Sequence, residues 1–518
     1  MTTAPPPAVS PFAGIPISDW VRDGAAALLL LVSLALPWSF GFGFGSLSGQ
    51  VFATARIEVI LVTLLSLFSL SLTYLARAGV FPPTITARTI WALRLVANAP
   101  YAIVVLVHIV IDITSSTGTG LGFAAAFGFA GAVLAAQPRE AEVRGLPQRD
   151  PVASAWYSIA LAFTGLVALT GLLALVLGLV SLGRFGGPAL VFSLIVLVLL
   201  NIAAVGVPAL GLVRRSEAWR TVTIGLGASL SLIVVIDALT QFAISPFGVE
   251  SVRGGGYLVV LFLPLAAIAA SPGIRISMNP IADLTRWFSV AATTLLVGAV
   301  LAGVELLRTI LTLILGGVGS SSTAPTIIST ILLIVILVAA VIARSFLRSN
   351  PAGSRYTVPG FAGAIFVLGL INVAISFDTV IGVVPLVLAL GVPGIIAYAL
   401  LVPPSVREYF AANAPLAGTT STYLSGVVPG AAATSPVPAP LVPAPPAPPA
   451  APAPAANPLL QRASDPATPA AELQELARDH QELWAAIAAN PTAYDGLLDW
   501  LASSTDPAVQ AALRARGR

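Results

Sequence analysis

Apolar residues fall in runs of about twenty, each long enough to cross a hydrocarbon layer of ~30 Å as a helix, and the runs recur as far as residue 402. The pattern predicts twelve membrane-spanning helices, near 24–42, 57–76, 91–113, 120–137, 156–182, 189–213, 221–243, 256–271, 287–316, 324–346, 360–377 and 379–402. The 287–316 run is too long for one upright crossing and is interrupted by Glu305 and Arg308. It predicts either a tilted helix or a helix followed by a short re-entrant piece.

The runs group in fours. Trp20, Trp156 and Trp287 each open a group, at spacings of 136 and 131 residues. Arg77, Arg214 and Arg344 follow them by 57, 58 and 57 residues. Pro138, Pro272 and Pro404 close the groups. Recurrence of this kind marks structural duplication, here as repeats 20–139, 156–275 and 287–407. An even number of spans per repeat makes the copies parallel and suggests a pseudo-threefold arrangement. The expected fold is all-α: a polytopic bundle of about twelve helices in three parallel four-helix repeats (24–402), preceded by a cytoplasmic N-terminus (1–23).

Charge sets the orientation. With the N-terminus inside, inner segments carry fifteen arginines and outer segments four, namely Arg56, Arg184, Arg253 and Arg308. This bias fits twelve spans with both termini cytoplasmic. Trp20, Trp91, Trp156, Trp219 and Trp287 fall at inner span ends, as an aromatic belt would. A mean hydropathy of +0.95 with 9% charged residues belongs to a chain solvated mainly by lipid.

All 25 basic residues are arginine and there is no cysteine. The first absence removes the P-loop lysine and Schiff-base chemistry; the second removes thiolate nucleophiles, disulfides and iron–sulfur ligation. The two histidines, His108 and His480, are too far apart for a zinc site with several histidine ligands. No cofactor is expected, and no catalytic residue. Gly316–Ser321 has the look of a phosphate loop but lacks lysine. The Arg-for-Lys usage points to a GC-rich bacterial genome and hence to a bacterial cytoplasmic membrane.

Polar groups at membrane depth are the remaining candidates. Asp112, Asp237 and Asp378 each lie near the outer end of the third span of their repeat. They read either as an acidic ring at an outer vestibule or as helix ends at the interface. His108 stands four residues from Asp112, on the same helix face, so it reads as a proton relay or as a side chain hydrogen-bonded to its own aspartate. Arg94 reads as snorkelling to the inner headgroups or as holding an anion. Glu305 with Arg308, and Arg56 with Glu58, read as ion pairs. Asn98, Asn201 and Asn372 read as interhelical hydrogen bonds, and the glycines of spans four and five as close-packing positions.

After the last span the chain changes character. Residues 411–456 form an Ala/Pro-rich linker; ten of the nineteen residues 436–454 are proline. As polyproline II that stretch reaches ~60 Å. Residues 457–518 carry five arginines against eight acidic residues. Thr468-Pro469, Thr492 with Asp495, and Asp506-Pro507 predict helix starts. The run Ser464-Asp465-Pro466-Ala467-Thr468-Pro469, then Leu473, Leu476 and Ala477, then Ile487-Ala488-Ala489-Asn490-Pro491 and Tyr494–Leu501, resembles the variant leucine-rich repeat. That resemblance implies short helices stacked in a small right-handed solenoid. Some members are associated with a cysteine-ligated iron–sulfur cluster, which cannot carry over to a chain without cysteine. The membrane region resembles actinobacterial multi-pass proteins that pair such a bundle with such a tail, and this implies no activity.

Trp484, Tyr494 and Trp500 are the candidate protein contacts of the tail. Its acidity argues against nucleic acid. The expected function is a non-enzymatic membrane scaffold whose tail catches a cytoplasmic or membrane protein partner, with a homo-oligomer as a further expectation. The alternative is a transporter or channel with a regulatory tail.

Overall fold

The computed structural model describes residues 12, 14–40, 50–115, 120–148, 150–183, 188–240, 250–315, 323–375, 383–413, 458–465, 467–502, 504 and 506–515. The chain divides into two units, Met1–Tyr423 and Leu424–Arg518.

In the first unit, nine helices among the described residues are long and apolar enough to cross a membrane. They include α2 (Ile57–Arg77), α3 (Ala87–Thr114), α6 (Pro151–Gly183), α7 (Pro188–Val213), α8 (Glu217–Thr240), α11 (Asp283–Leu315), α12 (Thr323–Ser349) and α13 (Ser354–Ile375). The ninth stretch, Val384–Leu401, runs through α14 (Val383–Leu386), a π-helical turn at Val387–Gly391 and α15 (Val392–Leu401). The 287–316 run is one continuous helix of 33 residues, α11. At ~50 Å it is longer than an upright crossing needs.

The first apolar run is displaced from its expected place. Helix α1 covers Ile17–Ala35, not 24–42, so the helix begins inside the stretch assigned to the N-terminus. Pro37 stops it, because proline neither donates to the helical ladder nor fits the preceding turn. Residues Pro37–Phe40 (β1) instead pair antiparallel with Gln50–Phe52 (β2). The fold is therefore not purely helical. Leu121 bridges both Ser39 and Glu250, with Leu121 N–H donating to Glu250 O at 2.7 Å and Gly122 N–H to Trp38 O at 2.7 Å. Backbone groups that leave a helix at this depth need partners, and these short bridges supply them.

The two shorter apolar helices, α4 (Phe123–Ala136) and α9 (Val259–Ala270), form the centre. At 14 and 12 residues they are ~21 and ~18 Å long, less than the hydrocarbon thickness. Both are apolar on every side, which fits only a helix surrounded by protein. All of α4 except Val133 is buried, and all of α9 except Ala270. They pack on each other, with α1 and α3 also on α4, and α8 also on α9. Small residues permit this closeness. A Cβ on Gly128 would stand 1.6 Å from the Tyr101 hydroxyl, and one on Gly122 would stand 2.1 Å from Pro37 O. Short helices begun at or near a proline follow each buried or bent segment: α5 (Glu140–Val143), α10 (Pro272–Ser277) and α16 (Pro404–Ala412).

The second unit holds α17 (Pro458–Ser464), α18 (Ala470–Asp479), a 3-10 turn at Gln481–Leu483, α19 (Trp484–Ala489), α20 (Asp495–Ala502) and α21 (Pro507–Ala515). Leu473, Leu483, Ile487, Leu498, Leu501, Val509 and Leu513 close its core. Two of the three expected caps are built differently. Pro469 itself is the cap position of α18, and Thr468 Oγ1 donates to Arg462 O at 2.7 Å. Thr492 Oγ1 donates to Asn490 Oδ1 at 2.6 Å, so no capping box forms with Asp495. Asn490 is buried beside them, its Nδ2 donating to Ala463 O and Asp465 O at 2.8 and 2.9 Å. The third cap is as expected: Asp506 Oδ1 accepts from Ala508 N–H at 2.8 Å, ahead of Pro507.

Candidate functional site

Asp112 sits in the last turn of α3 with no solvent exposure. Its carboxylate accepts from Gly120 N–H at 2.9 Å, Ser251 Oγ at 2.9 Å, Val252 N–H at 2.9 Å and Tyr257 OH at 2.6 Å. One side chain thus ties the end of α3 to the turn before α4 and to the loop before α9. The full set of donors uses the carboxylate's acceptor capacity. Asp237 lies in α8, and its side chain is outside the described residues, as is all of Asp378.

His108 does not partner Asp112. Its Nδ1 bonds Val104 O at 2.9 Å, its ring meets Trp38 edge-on at 5.2 Å, and Nε2 is 4.0 Å from Glu58. The shared helix face is real, but the 251–257 loop claims the aspartate. Neither the relay nor the direct His–Asp hydrogen bond is present. In the same loop region Glu250 caps α9, accepting from Val259 and Val260 N–H at 2.6 and 2.8 Å. Burial pushes its carboxyl up to about 7, against the lowering effect of those donors.

The opposite, arginine-rich end carries a buried charge cluster that the sequence reading missed except for Arg94. Asp19 and Asp23, one helical turn apart on α1, face α5. Asp19 accepts from Glu140 and Ala141 N–H at 2.7 and 3.3 Å, satisfying the first turn of α5. Asp23 meets Arg139 at 2.5 Å and accepts from Tyr74 OH at 2.7 Å. Arg94, fully buried, pairs with Glu142 at 2.5 Å instead of snorkelling outward. Burial, with Arg94 close by, lowers the Arg139 guanidinium to about 10, which leaves it charged at neutral pH.

Arg94 Nε and Nη1 and Arg139 Nε have no hydrogen-bond partner among the described residues. A cavity of about 260 Å³ opens here, lined by Asp19, Asp23, Tyr74, Arg77, Arg139 and Glu142 among others. The cluster can lock α1, α2, α3 and α5 together, and it can offer guanidinium donors to an anion. The signal in the sequence was the i, i+4 pair Asp19/Asp23, together with the arginine that follows Pro138.

Of the remaining polar expectations, the two ion pairs and the interhelical bonds of Asn98 and Asn372 are found as drawn, whereas Asn201 bonds a loop carbonyl. Glu305 pairs with Arg308, and Arg56 with Glu58 at 3.4 Å. Asn98 donates to Ser69 Oγ at 2.8 Å, Asn201 to Gly255 O at 2.7 Å, and Asn372 accepts from Ser329 Oγ at 2.7 Å. Gly316–Ser321 lies outside the described residues.

In the tail, Trp484 and Trp500 meet edge-on at 5.0 Å. Trp484 is half-buried and donates its Nε1–H to Ala477 O at 2.6 Å. Trp500 and Tyr494 are 48% and 42% exposed. Tyr494 OH lies 3.1 Å from Gln474 Oε1, on α18. The unit thus uses one tryptophan to brace the other and leaves two aromatic side chains open.

Long apolar helices around a buried pair of short ones, with a separately folded helical tail, define the class: a multi-pass helical membrane protein with an appended repeat unit. The chain belongs to the family described as Domain of unknown function (DUF7937), which matches residues 19–409. Residues 457–517 match the Leucine Rich Repeat Variant domain, as the motifs of the tail implied. No curated protein and no solved structure matches the chain.

Proposed function

We propose that this protein is a non-enzymatic membrane anchor that displays a protein-binding module in the cytoplasm. In this reading the twelve apolar helices are twelve spans, in three parallel units of four. Both termini lie on the arginine-rich, cytoplasmic face of a bacterial inner membrane. The observation that carries the reading is the tail's exposed aromatic pair, Tyr494 and Trp500, on a unit that already closes its own core. Large aromatics left open on a small folded unit are the residue types that anchor protein interfaces. The surrounding acidity directs the module toward protein and away from nucleic acid or an anionic leaflet.

Crosslinking co-purification from native membranes tests it, comparing the full chain with a chain stopped after Ala456. The anchor reading expects a partner captured by the full chain alone. Equal capture by both chains contradicts it.

A transporter or channel with a regulatory tail is the second reading. The observation that favours it is the cavity beside Arg139, with the unsatisfied donors of Arg94 behind it. It predicts anion flux in proteoliposomes that Arg139→Gln abolishes. Absence of flux from the folded wild-type chain removes its basis.

A further inference from the structure

The same arginine-rich end holds a second cavity, about 670 Å³, where the C-terminal ends of α7 and α12 meet the N-terminal ends of α8 and α11. Arg214, Arg215 and Arg348 line it, with Trp219, Asn279 and Thr285. Among the described residues its one acidic lining group is Glu217, which Arg220 holds at 2.6 Å and Arg286 approaches at 4.0 Å. The three lining arginines have no such carboxylate partner among the described residues. The cavity therefore carries uncompensated positive charge at the level of the span ends.

Arg215 is held there at a conformational cost. Its φ of 56° makes it the one non-glycine residue with positive φ among the described residues. It occupies the position after α7 where Arg215 N–H donates to Leu212 O and Ser216 N–H to Gly211 O, at 2.9 and 3.0 Å. That hydrogen-bond pattern ends a helix on a left-handed residue, usually glycine. Arginine in its place is strained, and strain retained at one position points to a use for the side chain. Here the guanidinium lies over the Tyr157 ring at 4.7 Å. Asn279 N–H donates to Arg215 O at 3.1 Å and fixes the turn.

Directly along the seam lies an entirely apolar cavity of about 150 Å³, lined by Ala203, Ala204, Leu226, Phe262 and Val297 among others. Trp219 lines both cavities. A polar, cationic pocket at the span ends that shares a lining tryptophan with an apolar slot has the two-part chemistry of a phospholipid. Basic pockets between spanning helices bind anionic headgroups. A soluble anion would use the arginines but leave the slot unexplained.

We infer that the α7–α8–α11–α12 seam is a binding site for one anionic phospholipid. The phosphate lies among Arg214, Arg215 and Arg348, and an acyl chain lies in the apolar slot beside Trp219. The site is independent of the tail and of the Arg139 cavity.

The test is native mass spectrometry of the purified full chain, titrated separately with phosphatidylglycerol, phosphatidylcholine and inorganic phosphate. The wild-type chain is expected to retain phosphatidylglycerol in preference to phosphatidylcholine. Arg214→Gln with Arg348→Gln is expected to weaken that retention about thirtyfold, the loss of two surface cations. Arg214→Lys with Arg348→Lys is expected to keep it, since charge is preserved. Ala204→Phe, which fills the slot and leaves every arginine in place, is expected to weaken it as well, and decides the matter if the glutamine pair does not fold. Equal retention of the two lipids, unchanged retention in Ala204→Phe, or saturation by inorganic phosphate without any lipid preference overturns the inference.

Discussion

Asp112 shows how a buried carboxylate can be a structural centre. Its four donors come from two separate segments, the turn at Gly120 and the 251–257 loop, so its loss is felt by both and by α3 at once. Asp112→Asn presents an amide to donors that need acceptors, and leaving such groups unmatched costs about 3 kcal/mol. The expected result is a clearly lower melting temperature of the purified protein, with Ser251→Ala giving a smaller drop. A wild-type melting temperature in the asparagine variant contradicts the role assigned to the carboxylate.

Glu250 gives a second prediction at this scale. Its folded-state pKa of about 7 stands above the usual 4.5, so the folded protein binds its proton more tightly than the unfolded chain does. The associated stability is present below pH 4.5 and is lost as pH rises through about 7. The melting temperature should therefore rise as pH is lowered from 8 to 5. Glu250→Gln should flatten that rise.

His108 and Asp112 also mark a limit of sequence reading at this scale. An i, i+4 spacing places two side chains on one face, but it cannot say which of them a distant loop will take. The donors at Ser251, Val252 and Tyr257 lie about 140 residues away in the chain.

Elements were legible where their cause is local. Hydropathy marks the long helices because a bilayer demands about twenty apolar residues with all backbone groups bonded internally. The first span was misplaced because α1 tolerates Asp19, Arg22 and Asp23 near its start, where α5 and Arg139 compensate them, and because Pro37 ends it early. The hairpin that follows carries no alternating pattern, since its two strands of four and three residues are too short to show one. The caps of the tail were misread because both hydroxyls find other acceptors: Thr468 donates to Arg462 O and Thr492 to Asn490 Oδ1.

Packing of the short central helices makes a paired prediction. Gly122→Ala drives a methyl group into Pro37 O, a backbone atom that cannot swing away, and should cost at least ~2 kcal/mol. Gly165→Ala, in α6, meets nothing within 4 Å. It should leave stability unchanged or raise it by ~0.5–1 kcal/mol through helix propensity. Melting temperatures of the two variants should separate cleanly. Comparable losses from both would show that helix contact is not what glycine secures at residue 122.

For the whole molecule, the placement of charge sets the orientation. Fifteen of the twenty arginines in residues 1–456 fall in segments that the twelve-span reading places on one side. The chain has no cysteine, so single cysteines can be introduced without a background signal. Cysteines at Ser216 and Ser349 should react only with reagents that reach the cytoplasm, and a cysteine at Arg253 only with impermeant reagents from outside. Labelling of all three from one side contradicts that topology.

What sequence reading could not supply at this scale was the core. That α4 and α9 lie at the centre follows from their being apolar on every side, yet their contact with each other joins residues more than a hundred positions apart. The tail was legible in family and in core, because its leucines recur at short intervals. Exposure of Tyr494 and Trp500 needed the folded unit to be seen.

The measurement that bears most directly on the central claim uses the tail's aromatic face with the module left folded. Crosslinked partners of the wild-type full chain would be compared, from native membranes, with those of a full chain carrying Tyr494→Ala and Trp500→Ala. Both residues lie outside the buried core, so the tail should keep its helices by circular dichroism. The account predicts that a partner held by the wild type is lost from this variant as completely as from a chain stopped after Ala456. Undiminished capture of that partner by the aromatic variant would contradict it.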